Sequence, residues 1–144
     1  MHEQFADYLQ AIDFTEAAYL ERLDQALSVL TALLPAREIV AIVIEDSMDV
    51  EGNRTYLHLC ALTDTSAAFA DNFLHAGVFS VAPHKSSTGW RATTQDFTPG
   101  ETTKDSRLRI DVARADAQWT WEVTGANCQH AWDTFVAHVV PQLI

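Results

Sequence analysis

The chain has 144 residues, 48% of them hydrophobic, and carries 20 acidic side chains against 9 basic ones for a formal charge of −11. A chain of this length buries roughly 70% of the surface its unfolded form exposes, which predicts one domain over residues 1–144 that needs no staples. The charge repels nucleic-acid phosphates and anionic membranes. No apolar run reaches the roughly 18 residues of a membrane span, and Cys60 and Cys128 do not make a disulfide framework in a domain of this size.

In chain order, residues 3–11 predict a short helix. The opening MHEQFADYLQ lacks the basic and then apolar run of a secretory signal, so the expected location is cytoplasmic. Asp13 with Glu16 has capping-box spacing. From Phe14 to Leu34 the residues Tyr19, Leu23, Ala26, Leu27, Leu30, Leu33 and Leu34 recur at helical spacing, and Pro35 ends the run. A helical segment 1–35 therefore precedes a sheet and a last helix over 36–144.

Ile39 to Ile44 is apolar on both faces and mostly β-branched, which predicts a strand covered on both sides. An acidic loop, Glu45 to Asn53, leads to a second strand, Thr55 to Thr63, that pairs with the first. In a regular strand Tyr56, His58, Cys60 and Leu62 share one face. Residues 64–76 admit two structures. One is a helix carrying Phe69, Phe73 and Ala76 with Gly77 as its C′ residue; the other is a short strand Ala67–Ala70 turning at Asp71-Asn72.

Val78 to Ala82 predicts a strand ended by Pro83. A further strand near Arg91–Phe97 precedes a turn at Pro99-Gly100. Leu108, Ile110 and Val112 alternate with polar residues, as do Trp119, Trp121 and Val123, and Arg114 to Ala117 forms the hairpin turn between them. Asn127 stands where it can cap a last helix with Ala131, Trp132, Phe135, Val136, Val139 and Val140 on one face. The expected fold is α+β: an N-terminal helix or helix pair, a bent antiparallel sheet of about six or seven strands, and a C-terminal capping helix.

The segment Arg107 to Val140, a strand hairpin leading into a helix that bears Trp132, resembles the end of a bacterial pleckstrin-homology-like domain. Leu34 to Val40 is similar to the entry to the first strand of such proteins, and Leu62-Thr63-Asp64 to the Thr-Asp step that ends a later one. The chain departs from the family at Thr65-Ser66, where a basic residue is expected. It departs again at Glu45 to Glu51, where phosphoinositide-binding members carry Lys and Arg. The resemblance implies a PH-like roll that binds protein rather than lipid headgroups. Were 66–76 helical, the element order would instead resemble the small acidic dimeric chaperones of type III secretion.

Two sets of residues are candidate sites. Asp46, Asp49 and Glu51 of the acidic loop, with Trp90 and Arg91, form a set suited to a basic protein partner, since charge steers encounter and Trp and Arg supply contact energy. The bland alternatives are acidity that serves solubility and a Trp folded back on the core. Tyr56, His58, Cys60, Trp119 and Trp121 could line an apolar pocket between sheet and helix; core packing is the simpler role for Cys60 and for the Trp119–Trp121 stripe. No spacing in the chain matches a metal site, a phosphate loop or a nucleophile triad, and no cofactor is expected. Function is therefore expected to be non-catalytic protein binding, as in an immunity protein, inhibitor or adaptor. The alternatives are a small-molecule site, enzymatic or not, and a dimeric secretion-type chaperone.

Overall fold

The computed structural model describes residues 1–34, 38–75, 77–84, 87–114 and 118–143. Pro35 as a helix stop, Ala76 on a helical face and the turn residues 115–117 lie outside that set. A 3₁₀ turn, His2–Phe5, runs into α1, Ala6–Ala11. Asp13 then takes φ 59°, in the left-handed region that Asp tolerates better than most residues, and α2 spans Ala17–Leu33. The predicted capping box does not form: Glu16 holds the N-cap position and no side chain caps the helix. The apolar stripe does form, with Leu23, Ala26, Leu27 and Leu30 buried, whereas Leu33 is 49% exposed at the helix end.

Four antiparallel strands follow in chain order: β1 Ala41–Met48, β2 Arg54–Leu62, β3 Ser66–Asp71 and β4 Val78–Pro83. Residues 66–71 are thus a strand and not a helix, so the element order on which the secretion-chaperone likeness rests is not formed. Ala67, Ala68 and Ala70 are fully buried between two packed layers, where small side chains let neighbours approach. Asn72, at φ 54°, makes the turn. β1 also runs past Ile44, so Glu45 and Asp46 are strand residues rather than loop residues.

β2 does not keep its period of two. Ile44 pairs with Leu59 but Asp46 pairs with Tyr56, so Leu57 and His58 together oppose Glu45 in a β-bulge. The extra residue sends Tyr56 to one side of the sheet and leaves Cys60 and Leu62 on the other. The shared face expected for Tyr56, His58 and Cys60 is therefore broken at the bulge.

The second sheet is β5 Ser87–Gln95, β6 Arg107–Arg114 and β7 Gln118–Thr124, again antiparallel in order. The last helix is built of α3 Asn127–Thr134, a π-helical turn Phe135–Val139 and α4 Val140–Leu143. Pro141 cannot donate to Ala137 in a regular α-helix, and the wider turn before it accommodates the loss. Over the described residues the fold is α+β, with N-terminal helices, seven antiparallel strands in two sheets and a C-terminal helix.

The first sheet is the middle layer. One of its faces packs Ile42, Ile44, Leu59, Ala61, Ala68 and Ala70 against Leu9, Phe14, Leu23, Leu27 and Leu30 of the N-terminal segment. The other packs Val43, Cys60, Leu62, Ala67 and Phe69 against Ile110, Val112, Trp121 and Val123 of the second sheet and Ala131, Phe135 and Val139 of the last helix. Double coverage explains why β1 lacks the polar alternation of a one-sided strand.

Candidate functional site

Two stacked sheets have four edge strands, and every edge carries backbone groups that need partners. Here β1 and β7 lie beside each other, yet side chains and not a backbone ladder join them. The Glu122 N–H donates to Glu45 Oε1 at 3.0 Å. The Thr124 N–H and Oγ1 donate to the two oxygens of Asp46 at 2.8 and 2.9 Å. Asn127 Nδ2 donates to the Ile44 carbonyl at 2.6 Å, and Tyr8 Oη accepts from the Ile44 N–H at 2.8 Å while donating to Asn127 Oδ1. His130, stacked on Tyr8 with ring centroids 3.6 Å apart, donates from Nε2 to the Ile42 carbonyl at 2.7 Å.

Arg54 completes this seam. Its Nε lies 3.0 Å from Asp46 Oδ2, and its Nη1 donates to the Ile12 carbonyl at 2.7 Å. Gly125, at φ +57°, passes so close that a Cβ there would sit 3.2 Å from Arg54 Nη2. Asn127 consequently does not cap the last helix. It occupies that helix's first position, fully buried, and its amide serves β1 instead.

Electrostatics along the seam are uneven. Asp46 is 1% exposed with Arg54 beside it, and burial raises its carboxyl against the lowering effect of the Thr124 bonds and of Arg54. Glu45 has no ion-pair partner among the described residues. Burial pushes it up to about 7 against the lowering effect of the bond from the Glu122 N–H, with the charges of Glu122, Asp71 and Asp46 adding to the rise. Burial also lowers the His130 imidazole below its usual range.

The candidate residues separate on this frame. Asp46 is locked in the seam, out of a partner's reach. Asp49 and Glu51 sit in the exposed β1–β2 turn, where Asp49 Oδ1 accepts from the Glu51 and Asn53 N–H groups, both at 2.9 Å. Of the pocket set, Cys60 and Trp121 are fully buried in the inter-sheet core, with Trp119 packed between Phe69 and Trp121 at 5.4 Å from each. Burial, with Glu45 adding, raises the Cys60 thiol well above its usual range, which keeps it un-ionised at neutral pH. Tyr56 lies in the opposite core against Phe14, and His58 stands at the surface, accepting from the Asn72 N–H and 3.6 Å from Asp71. These five side chains do not converge on one cavity.

Trp90 and Arg91 both border one opening, although as consecutive strand residues they send their side chains to opposite faces of the sheet. Both lie on β5, the free edge of the second sheet, and with Gly89, Asp111, Ala113 and Gln118 they line a cleft of about 240 Å³. Trp90 is 43% exposed and sets its ring edge-on to Phe135 of the last helix, 5.0 Å between centroids. Arg91 points over the outer face toward Asp111, which also accepts from Arg109 and Thr120. β4, the other free edge, is six residues long and ends in Pro83, two ordinary ways of blunting an edge. β5 runs nine residues with neither Pro nor Lys; its register shifts once, between Ser87 and Gly89, and it touches α4.

A second cleft, of about 320 Å³, lies along the seam and is lined by Met48, Thr93, Gln95, Arg107, Arg109 and Glu122 among others. Sequence pattern did not reveal the seam, because Tyr8, Glu45, Arg54, Thr124 and Asn127 are scattered over the whole chain. The one local signal was a pair of acids directly after a β-branched apolar run. Comparison with protein-family models, curated proteins and solved structures finds no match to this chain.

Proposed function

We propose that the chain is a non-catalytic protein-binding module that takes an extended segment of a basic partner along β5, with Trp90 as the anchor. The observation that carries this is the outer edge of β5, regular in register from Gly89 to Gln95 and free of Pro and Lys, with Trp90 43% exposed on it. An added strand gains affinity from main-chain hydrogen bonds and specificity from alternate side chains that meet pockets. A volume of about 240 Å³ falls below the usual range of small-ligand pockets but fits one side chain of a larger partner. The charge of −11, with Asp49 and Glu51 exposed on their turn, steers a basic protein toward the module. A four-strand meander, a three-strand meander and a closing helix in that order also support the PH-like likeness, here without a basic loop for phosphoinositides.

The test begins with a tagged pull-down from the native cell at low and moderate salt, read by mass spectrometry. Binding of the purified partner is then compared between the wild type and Trp90→Ala. A stoichiometric basic protein, weakened by salt and by about tenfold or more on loss of Trp90, is the expected result. A partner whose affinity ignores Trp90 removes β5 from the account. No partner at all, with thermal stabilisation by small apolar compounds, replaces the module with a ligand-binding protein.

A further inference from the structure

The cleft of about 320 Å³ along the seam contains a cation that the seam does not use. Leu108 and Ile110 of β6 point into the core, so the alternate residues Arg107 and Arg109 stand on the outer face of the second sheet. Register lays two rows of side chains across that face: Gln95, Arg107 and Thr124, then Thr93, Arg109 and Glu122. Both rows line the cleft, and Met48 of β1 adds an apolar group. Three of the four charged groups there are matched: Asp46 has Arg54 at 3.0 Å, and Glu122 has Arg109 at 3.1 Å. Arg107 is different. It is half-buried, and its guanidinium makes one hydrogen bond among the described residues, from Nη1 to the Ser106 carbonyl at 3.0 Å. No carboxylate of the described residues lies within ion-pair distance of it. The Thr93 hydroxyl and the Gln95 amide beside it likewise bond to no described residue.

We propose that this cleft binds a small organic acid through a single carboxylate held by Arg107. Most of the guanidinium donors remain free, and their planar fork fits a carboxylate with two parallel hydrogen bonds. One negative charge balances the cleft. A second, as on a phosphate dianion, would meet Glu122 and Asp46, whose arginines are already engaged. Thr93 and Gln95 supply the neutral polar groups that orient the rest of the acid, and Met48 covers its apolar part. A volume of about 320 Å³ lies at the lower end of the range for small-ligand pockets, which selects a compact acid. The site goes beyond strand binding at β5, since none of its lining residues belongs to the Trp90 cleft.

The test is a ¹⁵N NMR titration of the full chain at about pH 7 and constant ionic strength, with sodium benzoate, neutral benzamide and inorganic phosphate as probes. Benzoate should move the Arg107 Nε–H and the Gln95 and Thr124 amides together and saturably, with a dissociation constant of about 10 mM or less. Benzamide and phosphate should each bind about tenfold more weakly or worse, and Arg107→Gln should weaken benzoate by about as much. Glu122→Gln removes the opposing carboxylate and keeps the backbone bond to Glu45. It should tighten benzoate by about twofold or more, a gain that a folding defect cannot produce. No saturable benzoate response, or an affinity that Arg107→Gln leaves unchanged, overturns the site. Benzamide or phosphate binding as tightly as benzoate overturns the assignment to a single carboxylate, and so does benzoate binding that Glu122→Gln leaves unchanged or weakens.

Discussion

The two long sides of this molecule solve the edge problem in opposite ways. On one side β1 and β7 meet and hand their unpaired backbone groups to Glu45, Asp46, Asn127, Tyr8 and His130. On the other, β5 keeps its edge open beside Trp90. Closing an edge with side chains demands buried polar and charged groups with exact partners, so that side is rigid and sensitive to substitution. An open edge costs little stability and leaves hydrogen-bonding capacity available to another chain. Sensitivity to mutation should therefore concentrate at the seam and sensitivity of binding at β5.

The largest expected effect is at Asp46. Asp46→Ala strands the Arg54 charge and leaves the Thr124 N–H without an acceptor. It should cost about 3–5 kcal/mol in chemical denaturation, the range for breaking a buried pair by removing one partner. A cost under about 1 kcal/mol would show that water replaces the carboxylate and that the seam is not closed by it.

Glu45→Gln should act in the opposite direction. A folded-state value of about 7 against an ordinary 4.5 means the folded protein holds a proton that the unfolded chain gives up, so stability falls as pH rises between those values. At pH 8 the variant should be more stable than the wild type by about 1–3 kcal/mol, with no gain near pH 4. His84 and His130, both lowered by burial, make stability fall as pH drops below their usual 6.5. The difference between the two proteins, and not the wild-type profile alone, isolates Glu45.

Tyr8→Phe removes the acceptor of the Ile44 N–H and a donor to Asn127. It should cost about 1–2 kcal/mol, as expected when buried groups lose a partner. Smallest is Glu51→Lys on the exposed turn, which should leave stability within about 0.5 kcal/mol and weaken a basic partner at low salt only. Reversal of Asp46 cannot serve that purpose, since it would dismantle the seam. Reversal of Asp49 would also disturb the turn that its carboxylate organises.

Much of the fold was legible because periodicity reports burial. The α2 stripe, the two-sided β1 and the alternation of β6 and β7 each follow from which side of an element meets a core. Three features escaped for physical reasons. Residues 66–71 have alanines that suit helix and strand alike, and only burial between two layers decides. The β2 bulge is one extra residue with no compositional mark, and it moved Tyr56 away from Cys60. Asn127 satisfied the local rule for a cap, but a longer-range claim from β1 outweighed it. As to the site, the pairing of Trp90 with Arg91 could be read from the sequence, but composition left open whether the Trp faces solvent or folds back on the core. That β5 is an open edge depends on sheet order, which composition does not carry.

Backbone amide hydrogen exchange on the isolated wild-type chain, resolved residue by residue near pH 6, tests the contrast most directly. The Glu122 and Thr124 amides should be protected although they lie on the edge of a sheet, and the outward amides of β5 should exchange at near-unprotected rates. Fast exchange at Glu122 and Thr124, or strong protection along the outer edge of β5, would contradict the assignment of a closed side and an open one.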